Sequence, residues 1–282
     1  MIRITLRFAW VFASGLLRRA PMAGIVGAIG LTAVFALALL APLGGYPIGA
    51  DVDPSVASQG PSAAHWLGTD HLGRDVAWRT ALASRAFVGP GLVACAVAVG
   101  AGVPLGAAAG WSNGPLGLGI RAGIGVVDAI PRVVLVVLGC AIHGSTAGSL
   151  AVIAGLATAP ALASAVLERI ERLRIEEFVL ASRAHGLSDA RILAVHLVGI
   201  GCGRTIGRRS CEAFGAFVVL ECTLSYLGGF GVQEPTPSWG NMLAFEWGRG
   251  LGPSVWAPAL ALWATVTACA LTSRLFAEVD DG

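Results

Sequence analysis

The sequence predicts an all-α integral membrane protein with about six transmembrane helices. Of its 282 residues, 55% are hydrophobic and 13% are charged, and the mean hydropathy is +0.75. A soluble domain averages about 25% charged residues. The apolar residues form runs of about 20, the length at which a helix crosses about 30 Å of hydrocarbon. Eight of the 19 basic residues cluster within 168–209, between two such runs.

Six segments are predicted to span the membrane: 22–41, 87–110, about 120–142, about 150–166, about 211–227 and about 256–276. The first is too long for the apolar core of a signal peptide, so we expect it to be retained. The polar stretch 42–86 is predicted to form an extracytoplasmic loop, and 87–282 the main transmembrane domain.

The distribution of arginine predicts the orientation of the chain. Cytoplasmic segments carry an excess of basic residues. The arginine-rich tail 1–21 and the loop 168–209 are therefore both expected on the cytoplasmic side. An even number of spans then places both termini in the cytoplasm.

Small residues in the second span predict close helix packing. Gly102, Gly106 and Gly110 repeat every four residues, which allows the backbone of another helix to approach closely. Pro104 lies between them and is expected to kink the helix.

Charged residues in predicted spans usually face a cavity or a partner. Asp128 and Arg132 are four residues apart, so one continuous helix would place them on the same face. They are expected either to neutralise each other or to line a translocation path. Glu212 is expected to pair with arginines of the loop. Glu221 lies deeper, as a hydrogen-bonding group to a neighbouring helix or as part of the path.

Several kinds of chemistry are excluded by residue content. All 19 basic residues are arginine, so the chain has no P-loop lysine and no Schiff-base lysine. The six cysteines form no CxxC pair and are interpreted as small buried side chains. His65 and His71 lie six residues apart in a loop, a spacing too weak to predict a metal site. No metal, cofactor or catalytic residue is predicted in this chain.

The segment 180–191 is predicted to form two short helices around Gly186. Glycine there permits a left-handed backbone or close contact with a partner. Ser188 is expected to cap the second helix, with Asp189 in its first turn. Small side chains would leave the first helix thin enough to lie in a groove of a partner: Ala181, Ser182 and Ala184. The alternative is an ordinary solvated amphipathic loop.

Over 65–75 (HWLGTDHLGRD), 176–199 and 221–241 (ECTLSYLGGFGVQEPTPSWGN), the chain resembles the C-type permease subunit of binding-protein-dependent ABC importers for dipeptides, oligopeptides or nickel. The segment 65–75, HWLGTDHLGRD, is similar to the family signature after the first span. The segment 176–199 resembles the family's EAA loop, with Ala181 and Ser182 at the two alanines and Gly186 at the glycine. Leu180 stands at the family's glutamate and Gly199 at its closing proline. The segment 221–241, ECTLSYLGGFGVQEPTPSWGN, resembles a third family run.

This resemblance implies a type I ABC importer permease fold in the bacterial inner membrane. It also implies a B-type permease partner, two ATPase subunits that bind ATP and Mg²⁺, and an extracytoplasmic solute-binding protein. No nucleic acid is expected. The residues expected to couple to the ATPases lie in the loop 168–209: Glu177, Ala181, Ser182, Gly186, Leu187, Ser188, Asp189 and His196. Path candidates are Asp128, Arg132 and Glu221. Expected outer-loop or partner contacts are Asp70, Arg74, Asp75, Pro237 and Trp239.

Two alternatives stay open at this point. The cargo expected from the resemblance is a dipeptide or oligopeptide, but nickel, glutathione or a haem-type solute is compatible. A stand-alone secondary transporter would instead use Asp128, Arg132 and Glu221 for ion coupling. No inverted repeat of the kind found in many such transporters is evident in the sequence.

Overall fold

Helices form most of this computed structural model, which describes residues 21–45 and 52–277. No β-strand occurs within those ranges, apart from one isolated bridge between Thr69 and Asp75. In chain order the helices are α1 Met22–Leu40, α2 Val76–Ala83, α3 Arg85–Trp111, α4 Pro115–Asp128, α5 Arg132–His143, α6 Ala147–Leu173, α7 Glu177–Ala184, α8 Asp189–Arg191, α9 Gly203–Leu227, α10 Trp239–Glu246 and α11 Pro253–Ser273. The predicted all-α class is confirmed.

Five helical segments of the described chain are long and apolar enough to cross a membrane: Met22–Gly44, Val76–Trp111, Ala147–Leu173, Gly203–Leu227 and Pro253–Phe276. The bent pair α4 and α5 makes a sixth if it counts as one span. The predicted number of about six is confirmed. The helices α6 and α9 extend beyond the predicted 150–166 and 211–227, because arginine and glutamate residues continue the helical backbone past the apolar stretch. Both ends of the predicted loop 168–209 are therefore helical.

The predicted third span is broken, and the expectation of one helix over about 120–142 is wrong. The axes of α4 and α5 differ by 86° across the break. Pro131 causes it, because proline cannot donate a backbone hydrogen bond and disfavours helical geometry at the preceding residue. Asp128 therefore ends α4 and Arg132 begins α5, both exposed, and the predicted sharing of one helix face is wrong. Pro104, in contrast, lies within α3 without interrupting it.

The closest helix pair is α3 against α6. A Cβ atom added at Gly102 would lie 2.7 Å from the carbonyl oxygen of Ala159, and one at Gly110 would lie 2.9 Å from that of Leu167. Gly106, between them, lies against the carbonyl group of Ala163. These glycines therefore bring the two backbones into direct contact, as predicted.

Two clusters of buried apolar side chains lie at different levels of the bundle. The larger surrounds Phe87, Phe214 and Trp239, and reaches the helices α1 and α11. The second lies at the other end of α6, where Ile170 packs with Val179 of the following loop. The pair α3 and α6 contributes to both clusters, so it connects the two ends of the molecule.

We predict that Gly106→Val destabilises the fold by separating α3 from α6. Two added methyl groups would meet the backbone of Ala163, and overpacking of this kind costs about 1–3 kcal/mol or more. The apparent unfolding temperature of the purified chain in detergent measures the effect.

Gly100→Val is the matched control on the same helix. Gly100 is exposed, and a Cβ atom added there meets nothing within 4 Å. Equal unfolding temperatures for the two variants would show that the contact between α3 and α6 does not limit stability.

Candidate functional site

The segment between α6 and α9 folds as helix, turn and helix. The helix α7 begins at Glu177, and α8 continues directly into a π-helical segment, Ile192–Gly201. The two short helices predicted around Gly186 are confirmed. The π-helical segment was not predicted, and it contains half-buried His196. Such segments are rare and often occur near functional sites.

The turn between α7 and α8 has one defined geometry. The backbone N–H of Leu187 donates to the carbonyl of Ser182 at 3.1 Å, and that of Gly186 donates to Arg183 at 2.9 Å. With Gly186 at φ +79°, this is a Schellman motif. Ser188 then accepts a hydrogen bond from the backbone of Arg191 and caps α8, as predicted. The sequence therefore fixes the direction in which α8 leaves α7.

Few side chains attach α7 to the rest of the chain. Val179 is 1% exposed in the second cluster. The guanidinium group of Arg183 lies 5.3 Å from the ring centre of Trp111 and pairs with Asp189 at 2.9 Å. The remaining surface of α7 is open, including Glu177 and Ala181.

Bulky apolar side chains are exposed along this loop. Ile175 is 78% exposed and Leu180 is 64% exposed, and Phe178 is also exposed. Contiguous exposed apolar surface marks a site of interaction. Because arginines surround the loop, this apolar surface lies among polar groups rather than within an apolar helix face. The arrangement favours a protein groove as its partner surface.

A groove between α6 and α9, bordered also by α3 and α5, contains a cavity of about 320 Å³. Small and apolar residues line it on both sides, among them Ala157 of α6 and Phe217 of α9. Arg132, at the start of α5, lines its edge. Among the path candidates, only Arg132 therefore reaches this cavity. Asp128 lies at the exposed break before α5.

The two glutamates of α9, Glu212 and Glu221, make structural contacts. Glu212 accepts hydrogen bonds from Arg208 and Arg209, each at 3.0 Å, which confirms the predicted pairing. Glu221 is fully buried and accepts a hydrogen bond from Ser225 at 2.6 Å, within its own helix. Val232 and Ser238, beyond the end of α9, also contact this carboxyl group, and Glu221 does not line the cavity.

A buried ion network joins the segment before α2 to the loop after α9. Asp70 accepts from Arg74 at 2.7 Å, and both Arg74 and Arg79 donate to Glu234 at 2.7 Å. Burial alone would lower the pKa of Arg74. The hydrogen bond to Glu234 and the charges of Glu234 and Asp70 outweigh burial and raise that pKa. The network holds these two segments together at one end of the helices.

Histidines of the outer segment take part in similar pairs. His65 contacts Asp75 at 2.9 Å, and His71 contacts Glu246 at 2.5 Å. Ligand atoms of Asp70, His71 and Glu246 lie within 4.8 Å of one another. The Asp70 carboxylate already accepts from two backbone N–H groups and from Arg74. The Asp70 carboxylate is therefore hydrogen-bonded within the ion network. The positive charge of Arg74 beside it disfavours the binding of a cation at Asp70, His71 and Glu246.

Pro237 and Trp239 are buried, so of the two expected kinds of contact the structure favours contacts within the loop over contacts with a partner. The indole N–H of Trp239 donates to the carbonyl of Thr80 at 2.9 Å, and its ring lies 4.6 Å from that of Phe87. Asp75 is likewise buried, and it caps α2 through the backbone of Trp78. Arg74 and Asp75 therefore fix this loop by hydrogen bonds.

With five or six helical segments of the described chain long and apolar enough to cross a membrane, the chain is a multi-pass membrane protein. The chain belongs to the family of binding-protein-dependent transport system inner membrane components, whose family model matches residues 102–278. The resemblance to C-type permeases of ABC importers, and the type I permease fold, are thereby confirmed. The family implies a binding protein and ATPase subunits as partners.

The names of individual relatives refer to different transported solutes. The chain is 31% identical to a dipeptide transport system permease protein of Alkalihalophilus pseudofirmus, over 78% of this chain and 72% of the relative. It is 31% identical to a glutathione transport system permease protein of Pectobacterium atrosepticum, over 80% and 72%. It is 29% identical to a nickel transport system permease protein of Escherichia coli, over 74% and 75%.

Two sets of residues that the structure brings together were not predicted from the sequence. Arg79 and Glu234 complete the outer ion network, but 155 residues separate them, and no local pattern pairs them. The arginines of the loop were noted for the orientation of the chain and for pairing with Glu212, and no local pattern indicates which of them lie near one another.

We predict that Glu234→Gln destabilises the loops that the network joins, because the buried arginines Arg74 and Arg79 lose one of the two carboxylates that bridge them and keep only Asp70. Breaking a buried ion pair from one side costs about 3–5 kcal/mol. The apparent unfolding temperature and the rate of proteolysis in the segment 52–75 measure the loss.

Arg249→Gln is the control, because Arg249 is exposed on the same side and donates only to a backbone carbonyl near it. If both variants resist protease equally, the network does not hold the loops together.

Proposed function

We propose that this chain forms half of the translocation path of an ABC importer and transmits the work of partner ATPases through α7, the Gly186 turn and α8. The main support for the proposal is the structure of α7. The helix α7 exposes Phe178 and Leu180 at an arginine-rich end of the bundle, while the Schellman turn and Val179 fix its direction. A free solvated loop needs neither the exposed apolar surface nor the fixed turn.

The orientation follows from the same loop. With α7 and α8 facing the ATPases, the segment 174–202 is cytoplasmic and the ion network at Asp70 and Glu234 is extracytoplasmic. Both termini are then cytoplasmic; the tail 1–20 lies outside the described residues. The outer network and the exposed Trp247 face the side from which a solute-binding protein delivers cargo.

The partners supply what this chain lacks. A B-type permease completes the path against the exposed apolar faces of α4 and α5, which include Val126 and Leu138. Two ATPase subunits bind ATP and Mg²⁺, because a chain without lysine has no P-loop. This chain holds no cofactor and performs no catalysis. Closure of the ATPases moves α7, and alternating access follows by rocking of packed helices.

The proposed cargo is a dipeptide or oligopeptide, as the name of the dipeptide relative suggests. Nickel or another small solute is the alternative within the same function, given the nickel relative. A stand-alone secondary transporter is disfavoured, because Glu221 is engaged by Ser225 and only Arg132 of the path candidates reaches the cavity.

We predict that Gly186→Pro uncouples transport from ATP hydrolysis while the complex still assembles in the membrane. Proline fixes φ near −65°, whereas Gly186 needs φ +79°, and its N–H donates to Arg183. The chain is purified from its native membrane with the subunits that accompany it. Solute-stimulated ATPase activity is then measured, and we expect a loss of about tenfold or more.

Gly114→Ala is the control, because Gly114 lies in another turn at the same end with φ −98° and open space around it. A chain that purifies alone and transports without ATP would contradict the proposal.

We predict that Leu180→Asp weakens capture of the ATPase subunits, because a carboxylate replaces an apolar side chain that would otherwise be buried in their groove. An interface anchor of this kind is worth about tenfold or more in affinity. The fraction of ATPase retained on the immobilised permease complex is the measurement. Leu180→Met keeps the apolar contact and is expected to retain the partner; equal retention by both variants would exclude Leu180 from the interface.

A further inference from the structure

The cavity between α6 and α9 lies near the middle of the membrane-spanning bundle. Its lining residues on α6 include Ala157 and Thr158, which lie near the middle of that 27-residue helix. Its lining residues on α9 include Ala216 and Phe217, near the middle of a 25-residue helix. Arg132 borders the same space. The break before α5 therefore places an arginine far from both ends of the neighbouring spans.

The side chain of Arg132 takes part in none of the ion pairs or hydrogen bonds found among the described residues. The arginine nearest to it in sequence, Arg121 of α4, instead pairs with Glu171 of α6 at 2.6 Å. Asp128 ends α4 on the far side of the 86° break and forms no ion pair with Arg132 in the described structure. A charged residue within a span usually faces a cavity or a partner and often marks a solute path. Of the two roles expected for Arg132, the structure therefore favours lining of the path.

The rest of the cavity wall is uncharged. Among the described lining residues, Arg132 alone carries a charge. The hydroxyl groups of Thr158 and Thr223 donate to carbonyls of their own helices, at 2.8 Å and 2.7 Å. The open space of about 320 Å³ falls within the range of about 300–1,000 Å³ that is typical of small-molecule sites. The cavity therefore offers one positive charge beside an apolar space that is large enough for a small organic molecule.

We infer that this cavity is a subsite for a solute that carries a carboxylate next to an apolar group, and that Arg132 binds the carboxylate. The inference rests on the proposed function and adds the class of solute and the residue that selects it. A guanidinium group binds a carboxylate by paired, charge-assisted hydrogen bonds. The attraction is stronger where little water is present, and the same charge disfavours a free divalent cation such as Ni²⁺.

The depth of Arg132 favours a solute over a fatty acid, which has similar chemistry. The carboxylate of a membrane fatty acid lies at the surface of the hydrocarbon core. That surface is about 15 Å from the middle of a core about 30 Å thick. A small solute in transit, in contrast, passes the middle of the membrane.

Binding of small probes to the full chain tests this subsite without any partner subunit. The chain is placed in phosphatidylcholine nanodiscs, and saturation-transfer-difference NMR titrations compare two probes. Acetyl-dialanine has a free carboxylate, and acetyl-dialanine amide has none. After subtraction of the signal from empty nanodiscs, we expect the acid to bind more tightly than the amide by about tenfold, the value of a charge-assisted pair. Equal binding of the two probes overturns the inference.

Substitutions locate the binding of the acid. Arg132→Gln should abolish the preference for the acid, and Arg132→Lys should keep part of it, because lysine retains the charge but not the paired donors. Arg204→Gln is the matched control, since Arg204 is exposed on α9 but does not line the cavity. Ala216→Leu should weaken binding of both probes, because the added groups fill the cavity while Arg132 is unchanged. Thermal unfolding shows that each variant remains folded.

Three results with these variants would contradict the inference: retention of the preference in Arg132→Gln, its loss in Arg204→Gln, or unchanged binding to Ala216→Leu. Two further measurements identify other occupants. A fatty acid that native mass spectrometry finds on the wild-type chain but not on Arg132→Gln would assign the cavity to lipid. If a carboxylate of the second permease pairs with Arg132, then Arg132→Gln lowers the amount of that subunit that co-purifies from the native membrane, and the chain alone shows no preference for the acid. Either result overturns the inference and leaves the ATPase results for Gly186→Pro untouched, so the subsite and the proposed function can fail separately.

Discussion

The backbone contact between α3 and α6 fixes the position of every other part of this molecule. Lipid provides no hydrophobic drive for helices to associate, so close packing of small residues must do so. Gly102, Gly106 and Gly110 allow that packing at three successive turns. The start of α3 follows the outer ion network, and the end of α6 leads into α7. One rigid pair of helices therefore joins the two surfaces at which partners are expected.

The two surfaces use charge in opposite ways. On one side, Asp70, Arg74, Arg79 and Glu234 are closed into a network, so their cost of burial is offset by mutual hydrogen bonds. Such a network adds geometric definition more than stability. On the other side, the ion pairs of arginines near α7 lie at the surface, as in the pairs Arg183 with Asp189 and Arg208 with Glu212.

The sequence was sufficient for the features that depend on local patterns. Apolar run length predicted the spans, glycine spacing predicted the contact of α3 with α6, and Gly186 with Ser188 predicted the helix–turn–helix loop. The sequence was insufficient for features that depend on the three-dimensional arrangement of the chain or on contacts between residues far apart in it. Hydropathy continues smoothly across Pro131, so it did not show the 86° break. The burial of Trp239 depends on Phe87 and Thr80, more than 150 residues away.

The different packing on the two sides of α6 has a mechanical consequence. Toward α3, backbone meets backbone, and the pair moves as one body. Toward α9, the groove and its two cavities separate the helices, so fewer contacts resist a relative movement of α6 and α9.

The helix α7 contacts both members of the close pair. A displacement of α7 would reach α6 through Val179 and Ile170 and would reach α3 through Arg183 on Trp111. Under the proposed function, the position of the ATPases therefore acts on the boundary between α6 and α9 through these contacts.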